Sequence, residues 1–233
     1  MVIIPMGSTE QHGPHLPLGT DFYEAFEISK RISRETGVVV APVLLIGYSE
    51  IHMGFPGTLS IKPQTMEQVV FEAVEGLIKH GFRKIMFFNY HGGNSIVQKN
   101  LIHRINYNTP ATAVALGLGS PFRRDAYKEF FDWHAGVGET SLMLFLKPEL
   151  VRLTRATRPV IQFTKEVQRI KLLAEQNPEL YYIWEDLLAV PEKTGKGGST
   201  AELSDNGVLS FSDPKKATRE IGRDRFSAMV DSP

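Results

Sequence analysis

The sequence predicts an α/β fold whose mainly parallel sheet is covered by helices on both faces. Short apolar runs of strand length alternate with longer segments of helical periodicity, which is the pattern of βαβ units. The runs are apolar throughout rather than alternating, as strands buried on both faces must be. Histidines and carboxylates gather just after these runs, where sheets of this type place their ligands.

Val2–Met6 is a β-branched run ended by Gly7 and reads as a buried strand. Over residues 21–36, Phe22, Ala25, Phe26, Ile28 and Ile32 recur at helical spacing, with Gly37 as the stop. Residues 38–47 (VVVAPVLLIG) read as a buried strand with its outgoing loop, and residues 58–61 as extended. Residues 64–81 form the clearest amphipathic helix, with Met66, Val69, Val70, Ala73, Leu77 and Ile78 on one side. A strand at 85–88, a helix at 95–106 and a strand at 111–118 follow. Residues 139–145 read helical and stop at Pro148. Residues 160–190 are helical in tone but poorly periodic, 194–200 (TGKGGST) read as a flexible loop, and 214–229 as a closing helix with proline in its first turn. No repeat or interdomain linker interrupts the pattern, so one domain over residues 1–233 is expected.

Composition narrows the function. Lys+Arg and Asp+Glu both number 26, so no bulk field favours nucleic acid or an anionic membrane. Cysteine is absent, which removes disulfides, thiolate zinc sites, iron–sulfur clusters and cysteine nucleophiles together. Any metal must be held by His, Asp and Glu. The first residues lack a basic start, and their apolar run is too short for a signal peptide or a membrane span. The expectation is a soluble cytoplasmic protein acting on a small molecule, without nucleic-acid or membrane partners.

Five of the seven histidines, His12, His15, His52, His91 and His134, fall in or beside the post-strand segments. Glu10 and His12 are two apart, so in extended backbone they point to one side and can converge on one ion; turn chemistry is the plainer reading. Asp21 stands at a predicted helix start, where it caps the helix or binds metal. His91 precedes Gly92 and Gly93, which permit a sharp turn and close approach of a ligand; a hydrogen-bonded loop histidine is the alternative. Asn89 and Asn94 read as side chains that hold this loop. His134 is a proton carrier or a packed neighbour of Trp133. Glu139 opens a helix, where a carboxylate is favoured by the dipole in any case.

Together these segments resemble the creatininase (creatinine amidohydrolase) family. The matching stretches are PMGSTEQHGPHLPLGTD (residues 5–21), GYSEIHMGFPGTLSI (47–61), NYHGGN (89–94) and HAGVGETSLML (134–144), in the family's order and across the first two-thirds of the chain. The resemblance implies a three-layer αβα sandwich around a mainly parallel sheet, with a divalent and often dinuclear metal site. It also implies a homo-oligomer, usually a hexamer; family members usually carry a segment before the first strand, so this chain is expected to lean on neighbouring subunits. Glu10, His12, Asp21 and His91 match metal ligands, with Asp21 at the bridging position, and His134 matches a histidine that shuttles protons to the leaving group. Ser49, Glu50 and His52 lie on a loop matching the substrate side.

One departure matters. Creatininases themselves have Tyr and Glu where this chain has Gly92 and Gly93, and that Glu binds the second metal. Creatinine is therefore a doubtful substrate, and Glu139 is the candidate replacement ligand and, with His134, a candidate catalytic residue. Two divalent ions against Glu10, Asp21, Glu139 and one hydroxide sum to zero charge, which a buried site favours. Zn, Mn and Fe all accept this donor set. The implied reaction is attack of a metal-held hydroxide on a small cyclic amide, formamide or terminal peptide bond, C–N bonds other than peptide being favoured, while His134 protonates the departing nitrogen. A cyclic polyol ketone opened at a ring C–C bond is the second enzymatic reading. A metal-stabilised regulatory protein with an inactive site is the non-enzymatic one. Substrate choice is assigned to the loops at 122–131 and 162–198.

Overall fold

The computed structural model describes residues 1–42, 44–116, 132–188 and 199–230. A four-stranded sheet has the order β2-β1-β3-β4, formed by β1 (Val2–Met6), β2 (Val39–Val40), β3 (Lys84–Asn89) and β4 (Thr112–Ala115). All three pairings are parallel. Pro5 cannot donate to a ladder, and it falls between the short β1–β2 pairing at Val2 and Ile3 and the isolated bridge from Met6 to Leu44.

Because side chains alternate along a strand, the central strands feed two cores. Val2, Ile4, Met6, Ile85 and Phe87 face α2 (Pro63–Lys79) and α3 (Ser95–Asn108). Ile3, Met86 and Phe88 face α1 (Thr20–Thr36), α4 (Val137–Leu146) and α8 (Arg219–Val230). Helices on both faces make the three-layer αβα sandwich. Each fully buried Phe or Ile contributes ~1.5–3 kcal/mol of transfer free energy, and Ile3, Ile85, Phe87 and Phe88 are all 0% exposed.

A third cluster, around Trp184, Val167, Leu203 and Leu209, joins α5 (Lys165–Gln176), α6 (Tyr181–Leu188) and α7 (Thr200–Leu203) to an antiparallel pair. That pair is β5 (Asp132–His134) with β6 (Leu209–Ser210).

Several expectations are corrected. Among the described residues of 38–47 the strand is only the two-residue β2, and Val39 is 54% exposed, because among the described strands β2 is the sheet edge and has a partner on one side alone. The buried stripe of α2 is Met66, Val70, Phe71 and Val74, whereas Val69 and Ala73 are exposed. The stripe is rotated toward Phe71, whose outer face is covered by the Arg104 guanidinium 3.6 Å from the ring centroid. The stretch at 160–190 is poorly periodic because it is two helices, parted at Pro178. The closing segment is a 3-10 turn, Pro214–Lys216, and then α8, whose first turn is capped by Thr218 Oγ1 accepting from the Ile221 N–H. Ser199 and Thr200 belong to α7 through a capping box with Glu202 rather than to a loop. Residues 194–198 and the loop at 122–131 lie outside the described residues, as do the ends of the predicted strand at 111–118 and the helical stretch at 160–190. No described helix is long and apolar enough to cross a membrane.

Candidate metal centre

The loops after β1, β2, β3 and β5 meet at the carboxyl end of the sheet. Their approach depends on side chains that are missing. A Cβ on Gly7 would lie 2.7–2.8 Å from backbone atoms of Asp21 and Phe22, so only glycine lets the end of β1 abut the start of α1. Asn94 joins three of the loops: its Oδ1 accepts from the Tyr48 N–H at 3.0 Å and its Nδ2 donates to the Gly7 carbonyl at 3.0 Å. Asn89 holds the turn, accepting from the His91 N–H and donating to the His91 carbonyl.

Asp21 lies in the first turn of α1, whose N-cap is Gly19, and its carboxylate turns inward rather than capping. His12 Nε2 lies 3.2 Å from Asp21 Oδ1 and 3.8 Å from Glu139 Oε2. His91 Nδ1 lies 3.2 Å from both Glu10 Oε2 and Asp21 Oδ2. The other ring nitrogen of each histidine faces a carbonyl, Glu10 O at 3.1 Å for His12 Nδ1 and Tyr48 O at 2.8 Å for His91 Nε2. A carbonyl only accepts, so those nitrogens carry the N–H and the opposite lone pairs face carboxylate oxygens.

Lone pair against lone pair is stable only with a cation between. Glu10 Oε2 and Asp21 Oδ2 are buried with no hydrogen-bond partner, and both belong to this arrangement. The donor set is all histidine nitrogen and carboxylate oxygen, which suits Zn, Mn or Fe. Donor atoms of Glu10, His12 and Asp21 lie within 4.8 Å of one another, as do those of His12, His134 and Glu139 and those of Glu10, His52 and His134. The residues therefore fit a divalent ion.

His52 and His134 complete the ring. His52 Nε2 is 3.3 Å, and His134 Nδ1 3.6 Å, from Glu10 Oε1, and the two imidazoles stack with centroids 4.1 Å apart. Glu139 is aimed by a bend: Ala135 adopts a left-handed φ of 52°, and its N–H donates to Glu139 Oε2 at 2.5 Å. Gly136 and Gly138 let Asp132 press against the start of α4, where it accepts from the Gly138 N–H at 2.9 Å.

The electrostatics follow the charges. Burial opposes protonation of His12, but Asp21, then Glu139 and Glu10, raise it to about 9. His91 is likewise raised, against burial, by Glu10 and Asp21. Burial works against ionisation of Glu10, yet His91, His52 and His134 hold it well below the usual carboxylate range. Burial lowers His52 to about 4 and lowers His134 as well, so both are neutral near pH 7. Burial, with Asp21, raises Glu139 to about 7.

Eight of the nine residues expected from the sequence thus converge: Glu10, His12, Asp21, Ser49, His52, His91, His134 and Glu139. Ser49 is buried, bonded through Oγ to Ser8 Oγ and to His91 Nε2 at 3.3 Å. Glu50 stands apart, exposed at the head of the 3-10 turn Glu50–His52. His15 is buried behind the ring, with Nε2 2.8 Å from Thr140 Oγ1. Three contributors went unread. Gln11 touches His52 and His134, Thr200 Oγ1 lies 2.7 Å from His52 Nδ1, and Glu24 is fully buried within electrostatic reach of Glu139 and Asp21. Only Gln11 carried a signal, its place between Glu10 and His12.

The family model described as creatininase, creatinine amidohydrolase, matches residues 1–232. A mycofactocin precursor peptide peptidase of Mycolicibacterium smegmatis is 33% identical over 99% of this chain and 81% of its own length. A creatinine amidohydrolase of Pseudomonas putida is 32% identical over 66% of this chain and 67% of its own. A 3-dehydro-scyllo-inosose hydrolase of Thermotoga maritima is 30% identical over 65% of this chain and 51% of its own. Among solved structures, a manganese form of creatininase superposes with TM-score 0.75 at 26% identity, covering 99% of this chain and 87% of that one. A mutant creatininase of Zn-Zn type gives 0.74 at 26%, covering 99% and 86%.

Proposed function

The chain belongs to the creatininase family of metal-dependent amidohydrolases, and from that membership we propose that it hydrolyses a terminal peptide bond, or the C–N bond of a small cyclic amide or formamide, with two divalent ions per subunit. The observation that carries the reading is the pair of buried oxygens without hydrogen-bond partners, Glu10 Oε2 and Asp21 Oδ2, each 3.2 Å from the lone-pair side of His91, while His12 faces the other oxygen of Asp21. Among amides the terminal peptide bond ranks first. The peptidase relative matches 99% of the chain, against 66% for the creatinine amidohydrolase. That order departs from the one the sequence suggested, and the reach of the alignment is the reason.

Glu10, His12, Asp21, His91 and Glu139 would hold the ions. Divalent ions in such a site acidify a water and polarise a carbonyl oxygen. The chain's own groups manage the protons. Neutral His134 has its Nδ1 turned to the ring, where it takes a proton from water and passes it to the departing nitrogen as the C–N bond breaks. The products are an amine and a carboxylate. Ser49 and His52 line the substrate side, with Glu50 at its exposed outer edge. A homohexamer in a cytoplasmic setting completes the reading, and native mass spectrometry of the loaded protein reads subunit and ion number together.

Zinc- or manganese-loaded protein assayed on lactams, formamides, short peptides and cyclic ketones tests the assignment. Release of an amine from a peptide supports it. Activity confined to the cyclic ketones would instead favour C–C ring opening, and fully loaded protein inert on the whole panel would leave the regulatory alternative. Glu139→Gln separates the ligand role: it should lose one ion per subunit, and unchanged stoichiometry would remove Glu139 from the ligand set.

A further inference from the structure

Gln11 lies between two residues of the metal centre and has its own side chain buried, 5% exposed. Its Oε1 accepts from the Gly13 N–H at 3.0 Å, and its Nε2 lies 3.0 Å from the Gly207 carbonyl. These partners fix the carboxamide orientation, because a flipped amide would set oxygen against oxygen at Gly207 and N–H against N–H at Gly13. Gly207 has a φ of +84°, and a Cβ there would lie 2.0 Å from Gln11 Oε1, so the turn at 204–207 is shaped around this side chain.

One N–H of the carboxamide remains. It has two candidate acceptors, His52 Nδ1 at 3.1 Å and His134 Nε2 at 3.0 Å. The second is excluded. His134 Nε2 lies 2.6 Å from the backbone carbonyl of Gln11 itself, and a carbonyl that close requires the nitrogen to carry a proton. The free N–H therefore goes to His52 Nδ1, which must accept. The proton of neutral His52 then sits on Nε2, aimed at Glu10 Oε1 3.3 Å away. The Thr200 hydroxyl, 2.7 Å from the same Nδ1, can rotate to donate or accept, so with Nδ1 accepting it donates too, and the two donors share one lone pair.

We propose that Gln11 is a positioning residue that fixes the tautomers of both inner histidines, its side chain giving His52 an Nε2–H and its backbone carbonyl giving His134 an Nε2–H. His52 then holds Glu10 Oε1 by a hydrogen bond, while His134 keeps the Nδ1 lone pair that faces the ring. The functional consequence rests on the hydrolase reading above; the tautomers themselves do not.

The test is ¹⁵N NMR of histidine-labelled, zinc-loaded protein. Wild type should show both histidines protonated at Nε2. In Gln11→Glu an acceptor replaces the donor, so His52 should move to the Nδ1–H form with zinc content unchanged. Turnover on whichever amide the wild type hydrolyses should fall ~10–100-fold, the usual cost of removing a partner that orients a metal-site group. Thr200→Val should leave the His52 tautomer as in wild type. An Nδ1–H tautomer of His52 in wild type would overturn the proposal, as would a tautomer that moves in Thr200→Val or stays in Gln11→Glu. Should Gln11→Glu fail to fold, the wild-type and Thr200→Val spectra still decide. Lack of any hydrolytic activity would remove the functional reading while leaving the tautomer assignment standing or falling on its own spectra.

Discussion

His12 Nε2 faces Asp21 Oδ1 across 3.2 Å, while His12 Nδ1 donates to the Glu10 carbonyl on the other side of the ring. Both residues are buried, so the position between them accepts a cation strongly, a proton or a divalent ion. Burial notwithstanding, Asp21 raises His12 from 6.5 to about 9. In metal-free protein this pair therefore stabilises the fold fully below pH 6.5, and the contribution is lost as pH rises through about 9.

Metal competes for the same position, so its affinity should rise over that window by up to ~10-fold per pH unit for one displaced proton. Titration calorimetry with zinc across the range checks this. A flat affinity would show that His12 releases no proton on binding.

Gly92 and Gly93 are adjacent but not equivalent. A Cβ on Gly92 meets nothing within 4 Å, whereas one on Gly93 would lie 2.0 Å from the Tyr48 carbonyl oxygen and 2.6 Å from His91 Nε2. Gly93→Ala should cost ~1–3 kcal/mol as an overpacked site and weaken metal binding by displacing His91. Gly92→Ala should stay within ~0.5 kcal/mol of wild type. Urea denaturation and metal analysis of the two variants give the comparison, and equal behaviour would refute it.

His134 contributes to two of the candidate ion positions, yet burial and the neighbouring His52 and His12 keep it neutral, as a proton carrier should be at rest. His134→Ala should retain its metal and lose ~10²–10⁴-fold in turnover. Loss of metal would make it a ligand instead, and intact turnover would remove it from the chemistry.

Glu24 is 0% exposed and both its oxygens lack a hydrogen-bond partner. Burial, with Glu139 and Asp21 nearby, raises its carboxyl well above 4.5, while the Arg225 guanidinium acts in the opposite direction. The folded state thus keeps a proton that the unfolded chain gives up, so this group's contribution falls as pH rises from 4.5. Glu24→Gln stays neutral and should flatten the decline between pH 5 and 8 in chelator-treated protein. An unchanged slope in urea midpoints would assign the pH dependence to other groups.

The sequence by itself determined the order of the parallel strands and of the helices that cover them, because a run such as Val2–Met6 is apolar on both faces only in a covered parallel sheet; the antiparallel pair β5 and β6 and the short α7 had no such pattern. It also determined the chemistry of the donor set, since a chain without cysteine that places histidines and carboxylates after its strands leaves little else to bind a metal. Local pattern fixes such things because they depend on near neighbours. Tertiary structure decided the rest. The helix face that α2 buries depended on which side its neighbours cover, and the edge position of β2 on its pairing with β1 alone among the described strands. Whether Asp21 caps its helix or turns inward depended on the abutment of Gly7 against α1. The tautomers of His52 and His134 depend on Gln11, 41 and 123 residues away along the chain, and the Gln11 carboxamide is oriented in turn by Gly207, 196 residues further on. A proton's place on an imidazole is set by what lies within ~3 Å of each nitrogen, and only the folded chain brings those atoms there.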